Sequence, residues 1–220
     1  MSYKAAIFDL DGTLLDTLED IANSANFALK SCGKEPIELE RYKFLVGEGA
    51  KRLMSEALGE EKDERLAKKL LEAFKSDYAL RWKKNSKPYE GIEEMLKSLN
   101  KNGFKMAVLS NKPEEFVKEC VRHFFDEEMF EYIGGEHDRF PRKSDPSGAY
   151  EALKYLKVDP DRVCFIGDTK IDMLTARNSN LDGFGVSWGF RSKEELLNHG
   201  AKKVFDTALE LEEYLLSNNH

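Results

Sequence analysis

Apolar residues follow two different rhythms along this chain. A short continuous run, Ala5-Ala6-Ile7-Phe8, dominates residues 4–10 and predicts a buried strand. From Thr17 to about Trp82 the rhythm is helical. Leu18, Ile21, Ala22, Ala25 and Leu29 form one stripe, with Thr17 as N-cap and Gly33 as stop. Residues 38–45 predict a short second helix, which Gly47 interrupts. Ala50, Leu53, Met54, Ala57 and Leu58 mark a third helix. Residues 63–82 predict a long fourth, with Leu66, Leu70, Ala73, Phe74, Asp77 and Tyr78 on one face and many lysines on the other.

After Pro88-Tyr89-Glu90-Gly91 the pattern alternates between helix and strand. Helices are expected at 92–100, 113–123, 146–155, 171–178, 193–199 and 209–216. Pro113 is expected at the first position of its helix. Strands are expected at 105–109, 132–133, 162–166, 183–186 and 202–205. This spacing predicts an α/β fold, a parallel sheet with helices on both faces. Residues 1–16 and 86–220 would form the core, and residues 17–85 a four-helix insertion. The segments 15–20 and 83–88 are then the expected hinges.

Composition narrows the function classes. The chain has 220 residues, enough for a large core, and its formal net charge of −7 gives no basic surplus for nucleic acid. No apolar run is long enough to span a bilayer, and the start has no signal-peptide core, so a cytoplasmic protein without a membrane partner is expected. Cys32, Cys120 and Cys164 show neither disulfide nor metal spacing. Monomer and homodimer both remain open.

Polar groups collect where the apolar strands end. Asp9 and Asp11 follow the first strand, Ser110-Asn111-Lys112 another, and Asp168 with Asp172 a third. Alone, Asp11-Gly12 reads as a polar turn. In open parallel sheets, however, ligands bind beyond the carboxyl ends of the strands, where strand order reverses. Asp9, Asp11 and Asp168 brought together would repel one another, and a divalent cation would relieve that repulsion. Oxygen ligands suit Mg2+, and no His/Cys cluster suggests zinc. Ser110 and nearby amides can bond phosphate oxygens, and Lys143 can balance carboxylate and phosphate charge. A carboxylate nucleophile beside a second carboxyl group can split phosphoryl transfer into two steps through an aspartyl phosphate.

Asp9-Leu10-Asp11-Gly12-Thr13, Ser110-Asn111, Lys143-Ser144-Asp145-Pro146 and Gly167-Asp168-Thr169-Lys170-Ile171-Asp172 stand in the order of the four motifs of the haloacid dehalogenase superfamily, which the chain resembles. The resemblance implies a Rossmann-like core with the helical insertion as its cap. Val46-Gly47-Glu48-Gly49-Ala50 and Val186-Ser187-Trp188-Gly189-Phe190 resemble the phosphoglycolate phosphatase branch. It implies Asp9 as nucleophile, Asp11 as general acid/base, Ser110 as phosphate-binding hydroxyl and Lys143 as the lysine of the third motif. Asp168 would bind magnesium directly with Asp9 and the Asp11 carbonyl, and Asp172 would support the metal's water shell. Thr13, in the first motif, joins the substrate-binding candidates. Ser144 departs from the pattern, where proline commonly follows the lysine, and so does Ser179-Asn180, where Ala-Gly is usual.

Some residues carry two readings. Asn111 and Lys112 either cap the helix at Pro113 or contact phosphate. Gly47 and Gly49 either break a helix or let a cap loop approach substrate, in which case Lys51 or Arg52 would meet a substrate carboxylate. Asp16 reads as a structural or hinge residue, and Trp188 as packing. The sequence thus points to a magnesium-dependent phosphatase of a small phosphorylated metabolite, with phosphoglycolate as the substrate suggested by resemblance. A phosphosugar mutase, a pyrophosphatase or 5'-nucleotidase of the same superfamily, and a phospho-binding regulatory module are the competing readings.

Overall fold

The computed structural model describes residues 3–59, 63–138 and 141–217. Two compact units emerge, residues 1–15 with 88–220, and residues 16–87. The chain opens with β1 (Ala5–Phe8), β2 (Leu15–Asp16), α1 (Leu18–Ser31), α2 (Leu39–Leu45), α3 (Ala50–Ala57) and α4 (Glu64–Arg81). It continues with β3 (Lys87–Pro88), α5 (Ile92–Lys101), β4 (Lys105–Pro113), α6 (Glu114–Phe124), β5 (Tyr132–Glu136) and α7 (Ser147–Leu156). The last elements are β6 (Val163–Gly167), α8 (Lys170–Asn178), β7 (Asp182–Val186), α9 (Lys193–Asn198), β8 (Lys203–Phe205) and α10 (Ala208–Ser217).

In the first unit, the described residues form a six-stranded sheet in the order β5-β4-β1-β6-β7-β8. Every pairing in it is parallel. β1 is central, which explains its unbroken apolar run: all four residues are covered on both faces. Side chains alternate between those faces. Ala5, Ile7, Ala107, Leu109, Val163 and Phe165 share one of them with Ala149, Ala152 and Leu156 of α7. The chain works outward from β1 to β4 and β5, then crosses back to β6, β7 and β8. Strand order therefore reverses beside β1, and the register pairs Phe8 with both Val108 and Ile166. Asp9, Ser110 and Asp168 follow those residues and reach the same end of the sheet.

Three expected strand boundaries differ, among them that of β5, expected at 132–133 and running to Glu136. β1 ends at Phe8 instead of at Leu10, because the backbone turns from Leu10 onward. β4 continues past its apolar segment to Pro113, because its pairing with β5 resumes at Pro113–Glu136 after a register shift. Ser110, Asn111 and Lys112 thus belong to a strand, and Pro113 becomes the N-cap of α6 rather than its first residue. Hydrophobic periodicity does not register a strand that continues through polar residues.

The second unit contains four helices among the described residues. α1 buries Leu18, Ile21, Ala22, Ala25, Ala28 and Leu29, and α4 buries Leu70, Phe74 and Tyr78, the last two rings stacked 5.3 Å apart. Thr17 occupies the N-cap of α1 but makes no side-chain capping bond. The buried acid there is Asp20, which accepts from the Asn85 amide (2.9 and 3.1 Å), Asn85 Nδ2 (2.9 Å), the Ser86 amide (2.8 Å) and Ser86 Oγ (2.8 Å). This clamp ties the first turn of α1 to the returning segment. No described helix is long and apolar enough to cross a membrane.

Candidate active site

Asp9 continues β1 by one residue, its amide donating to the Ile166 carbonyl (2.9 Å). The chain then turns sharply. The amides of Leu14 and Leu15 reach back to the Leu10 carbonyl (3.0 and 2.9 Å), and the Gly12 amide donates to that of Leu15 (2.9 Å). Gly12 adopts φ +86°, and a Cβ there would lie 2.2 Å from Asp168 Oδ2. Only glycine lets the turn approach that carboxylate so closely.

Asp168, at the end of β6, is fully buried. Its oxygens accept from Thr13 Oγ1 (3.2 Å) and the Phe190 amide (2.8 Å). The loop carrying Phe190 is itself held, since Trp188 Nε1 donates to the Thr13 carbonyl (3.0 Å). Asp172 comes from the first turn of α8, where one oxygen accepts from the Thr169 amide and hydroxyl (3.0 and 2.7 Å). Lys143 completes the group, its Nζ lying 2.7 Å from both Asp9 Oδ1 and Asp172 Oδ1. Its backbone is fixed on both sides by the Asn111 side-chain amide (2.8 and 3.2 Å).

Carboxylate oxygens of Asp9, Asp168 and Asp172 lie within 4.8 Å of one another. Burial pushes the Asp9 carboxyl up to about 7; the Asp172 charge adds to the rise and Lys143 opposes it. Asp168 is raised by burial, then by the charges of Asp172 and Asp9, against the Phe190 amide and Lys143. For Lys143, burial alone would lower the value, but Asp172 and Asp9 outweigh it and hold the ammonium charged. Asp11 belongs to an adjoining pair: Lys112 Nζ lies 2.7 and 2.8 Å from its two oxygens. Such a set can bind a hard cation, attack an electrophile through a carboxylate and move a proton.

The model of the haloacid dehalogenase-like hydrolases matches residues 6–186. The chain belongs to that family. As a haloacid dehalogenase-like hydrolase it is similar to the phosphoglycolate phosphatase of Colwellia psychrerythraea, at 33% identity over 94% of this chain and 95% of the relative. It is also similar to that of Psychrobacter arcticus, at 31% identity over 98% and 97%. Among solved structures, a protein of Lactobacillus delbrueckii subsp. bulgaricus provisionally assigned as a phosphoglycolate phosphatase superposes with a TM-score of 0.94. The two are 36% identical, and the match covers 98% of this chain and 99% of that one.

In this hydrolase the positions singled out by sequence fall into three groups. Lys143 meets Asp9 and Asp172 directly and Asp168 lies beside them, with Asp11 in the turn after β1 and Ser110 within β4. Thr13 and Asn111 are close, but the Thr13 hydroxyl is directed to Asp168 and the Asn111 amide to the Lys143 backbone. Gly49, Lys51 and Arg52 belong to the helical unit. Gly49 is the N-cap of α3 at φ +83°, Lys51 is exposed, and Arg52 pairs with Glu56 at 3.1 Å and Glu48 at 3.9 Å. Sequence reasoning missed the Asp11–Lys112 pair and the support of Asp168 by the Trp188–Phe190 loop. The signal for the loop was Gly189 between two aromatics at a strand end: a Cβ there would fall 2.3 Å from Asp168 Cβ.

Proposed function

We propose that the protein is a magnesium-dependent phosphatase of a small phosphorylated metabolite, working through an aspartyl phosphate on Asp9. The observation that carries this reading is the grouping of the buried Asp9, Asp168 and Asp172 carboxylates, with the Lys143 ammonium in contact with Asp9 and Asp172. With these acids ionised, one ammonium leaves two negative charges in a buried place, which is costly without a cation. The donors are all oxygens, so the set fits a hard divalent ion. Asp9 and Asp168, with the Asp11 carbonyl, would hold Mg2+, and Asp172 would orient its waters. Once bound, the ion supplies positive charge against the phosphoryl oxygens.

A carboxylate oxygen of Asp9 attacks phosphorus while the bond to the leaving oxygen breaks. The electron pair departs on that oxygen, which takes the proton from Asp11. In the second step Asp11, now a carboxylate, takes a proton from water whose oxygen attacks phosphorus. The bond to Asp9 breaks, releasing inorganic phosphate and restoring the carboxylate. Lys143 keeps Asp9 oriented throughout. The Ser110 hydroxyl accepts from the Lys112 amide (3.2 Å), leaving its own proton for a phosphoryl oxygen.

We read the helical unit, residues 16–87, as the cap of the family. Phosphoglycolate is the substrate favoured by the names of the similar proteins, and the free cysteines fit a reducing, cytoplasmic setting. The test is phosphate release with Mg2+ from 2-phosphoglycolate, pyrophosphate, nucleoside monophosphates and hexose phosphates. Turnover of 2-phosphoglycolate above the others, abolished in Asp9→Asn, is expected. No turnover of any of these by the metal-loaded wild type would overturn the reading.

A further inference from the structure

We propose that Lys112 is a positioning residue for Asp11, setting the direction from which the proton reaches the leaving oxygen. The inference rests on the reading of Asp11 as general acid. Lys112 lies at the end of β4, with 6% of its side chain exposed against 13% for Asp11. Its ammonium contacts both Asp11 oxygens (2.7 and 2.8 Å), which fixes the carboxylate in orientation as well as distance.

The anchor is itself rigid. The Lys112 amide donates to Ser110 Oγ, and β5 presses against its carbonyl so closely that a Cβ on Gly135 would lie 2.6 Å from that oxygen. One residue therefore connects the hydroxyl assigned to phosphate with the carboxyl assigned to the leaving group. In the first step the phosphorus–oxygen bond breaks, its pair stays on the leaving oxygen, and the proton moves there from Asp11. Lys112 touches neither reacting atom. It governs whether that proton points the right way.

This role predicts a dependence on the leaving group. An alkoxide leaves poorly without a proton, whereas an aryl oxide needs little help. The experiment compares kcat/KM for the best alkyl phosphate of the panel with that for p-nitrophenyl phosphate, at saturating Mg2+. The ratio within one preparation is independent of the fraction folded. Asp11→Asn should lower the alkyl-to-aryl ratio by about 100-fold or more, the lower range for general acid catalysis. Lys112→Met should lower it by up to about 100-fold, as expected when a catalytic group is misplaced by an ångström. Lys112→Arg should recover most of the loss, and inhibition by inorganic phosphate should not change in any Lys112 variant. An unchanged ratio in Lys112→Met beside a lowered one in Asp11→Asn would overturn the role of Lys112 alone. Parallel loss on both substrates with weaker phosphate inhibition would also overturn it, making Lys112 a phosphate ligand. An unchanged ratio in Asp11→Asn would remove the acid assignment itself, and this inference with it.

Discussion

Gly12→Ala is the substitution that most directly probes how Asp168 is held. The new Cβ would lie 2.2 Å from Oδ2, 2.6 Å from Cγ and 2.8 Å from Oδ1 of that carboxylate. The carboxylate has little freedom to retreat: Thr13 Oγ1 and the Phe190 amide hold it, and the Gly189 backbone presses on its Cβ. Three costs combine. Placing an L-residue at φ +86° costs about 1–2 kcal/mol. Overpacking adds about 1–3 kcal/mol. A strained or lost bond to a charged acceptor adds about 1.5–3 kcal/mol. These contributions overlap, so a total of about 3–6 kcal/mol is expected. Gly103→Ala is the internal control: its φ is +71°, but nothing lies within 4 Å of the added Cβ, so it incurs the backbone cost alone. Urea unfolding followed by Trp188 fluorescence, in a Trp82→Phe background, reports on the first unit. Mg2+ titration by calorimetry reports on the site. Gly12→Ala should unfold at lower urea than Gly103→Ala and lose metal affinity, while Gly103→Ala keeps it. Equal destabilisation by the two alanines, with metal binding intact in both, would refute the claim that the turn and Asp168 are locked together.

Asp20→Ala should destabilise the helical unit by about 3 kcal/mol, because two buried Ser86 donors lose their acceptor at about 1–3 kcal/mol each. Trp82 fluorescence in a Trp188→Phe background and faster amide exchange at Ser86 measure this, and a change under about 1 kcal/mol would contradict it. Metal-free stability also depends on pH. Burial holds the Asp9 carboxyl at about 7 in the metal-free protein, above its unfolded value, so the folded state retains a proton that the unfolded chain releases. Metal-free stability should therefore fall as pH rises from about 4 to about 7, more steeply than in Asp9→Asn. Mg2+ must displace the same proton, so its affinity should rise through that window and level off above it. Calorimetry in buffers of different ionisation enthalpy would count the released proton, and a flat affinity from pH 5 to 8 would oppose the assignment.

The parts of this molecule that could be read from the sequence are those where one physical demand governs a whole segment. β1 must be covered on both faces, so Ala5–Phe8 is continuously apolar. α1 and α4 each bury one side, so their apolar residues recur at helical spacing. Asp9, Asp11, Asp168 and Asp172 were visible because acids at the ends of buried strands conflict with burial. Among their partners Lys143 was visible as a balancing charge, and the others were not. Lys112 follows Ser110 and Asn111 in a segment that has no apolar rhythm, and its ammonium finds Asp11 only through the β1–β4 register. Thr13 carries a hydroxyl suited to substrate or carboxylate, and only the tertiary arrangement directs it to Asp168. Nothing in the sequence around Asp20 marks it out, and only the returning segment brings Asn85 and Ser86 against it.

The same distinction explains the site's electrostatics. Asp9, Asp11, Asp168 and Asp172 supply four carboxylates, and Lys112 and Lys143 supply two ammoniums in contact with three of them. Asp168 meets only neutral donors in the bonds that fix it, Thr13 Oγ1 and the Phe190 amide. When all four acids are ionised, two negative charges remain uncompensated by these lysines, the charge of one divalent ion. A third lysine among them would make the protein more stable without metal and reduce its affinity for the cation. Neutral donors hold Asp168 in place without neutralising it, so stability is given up where a hard cation would restore it. Replacing Asp168 by asparagine should consequently stabilise the metal-free protein while weakening Mg2+ binding, two effects of opposite sign from one lost charge.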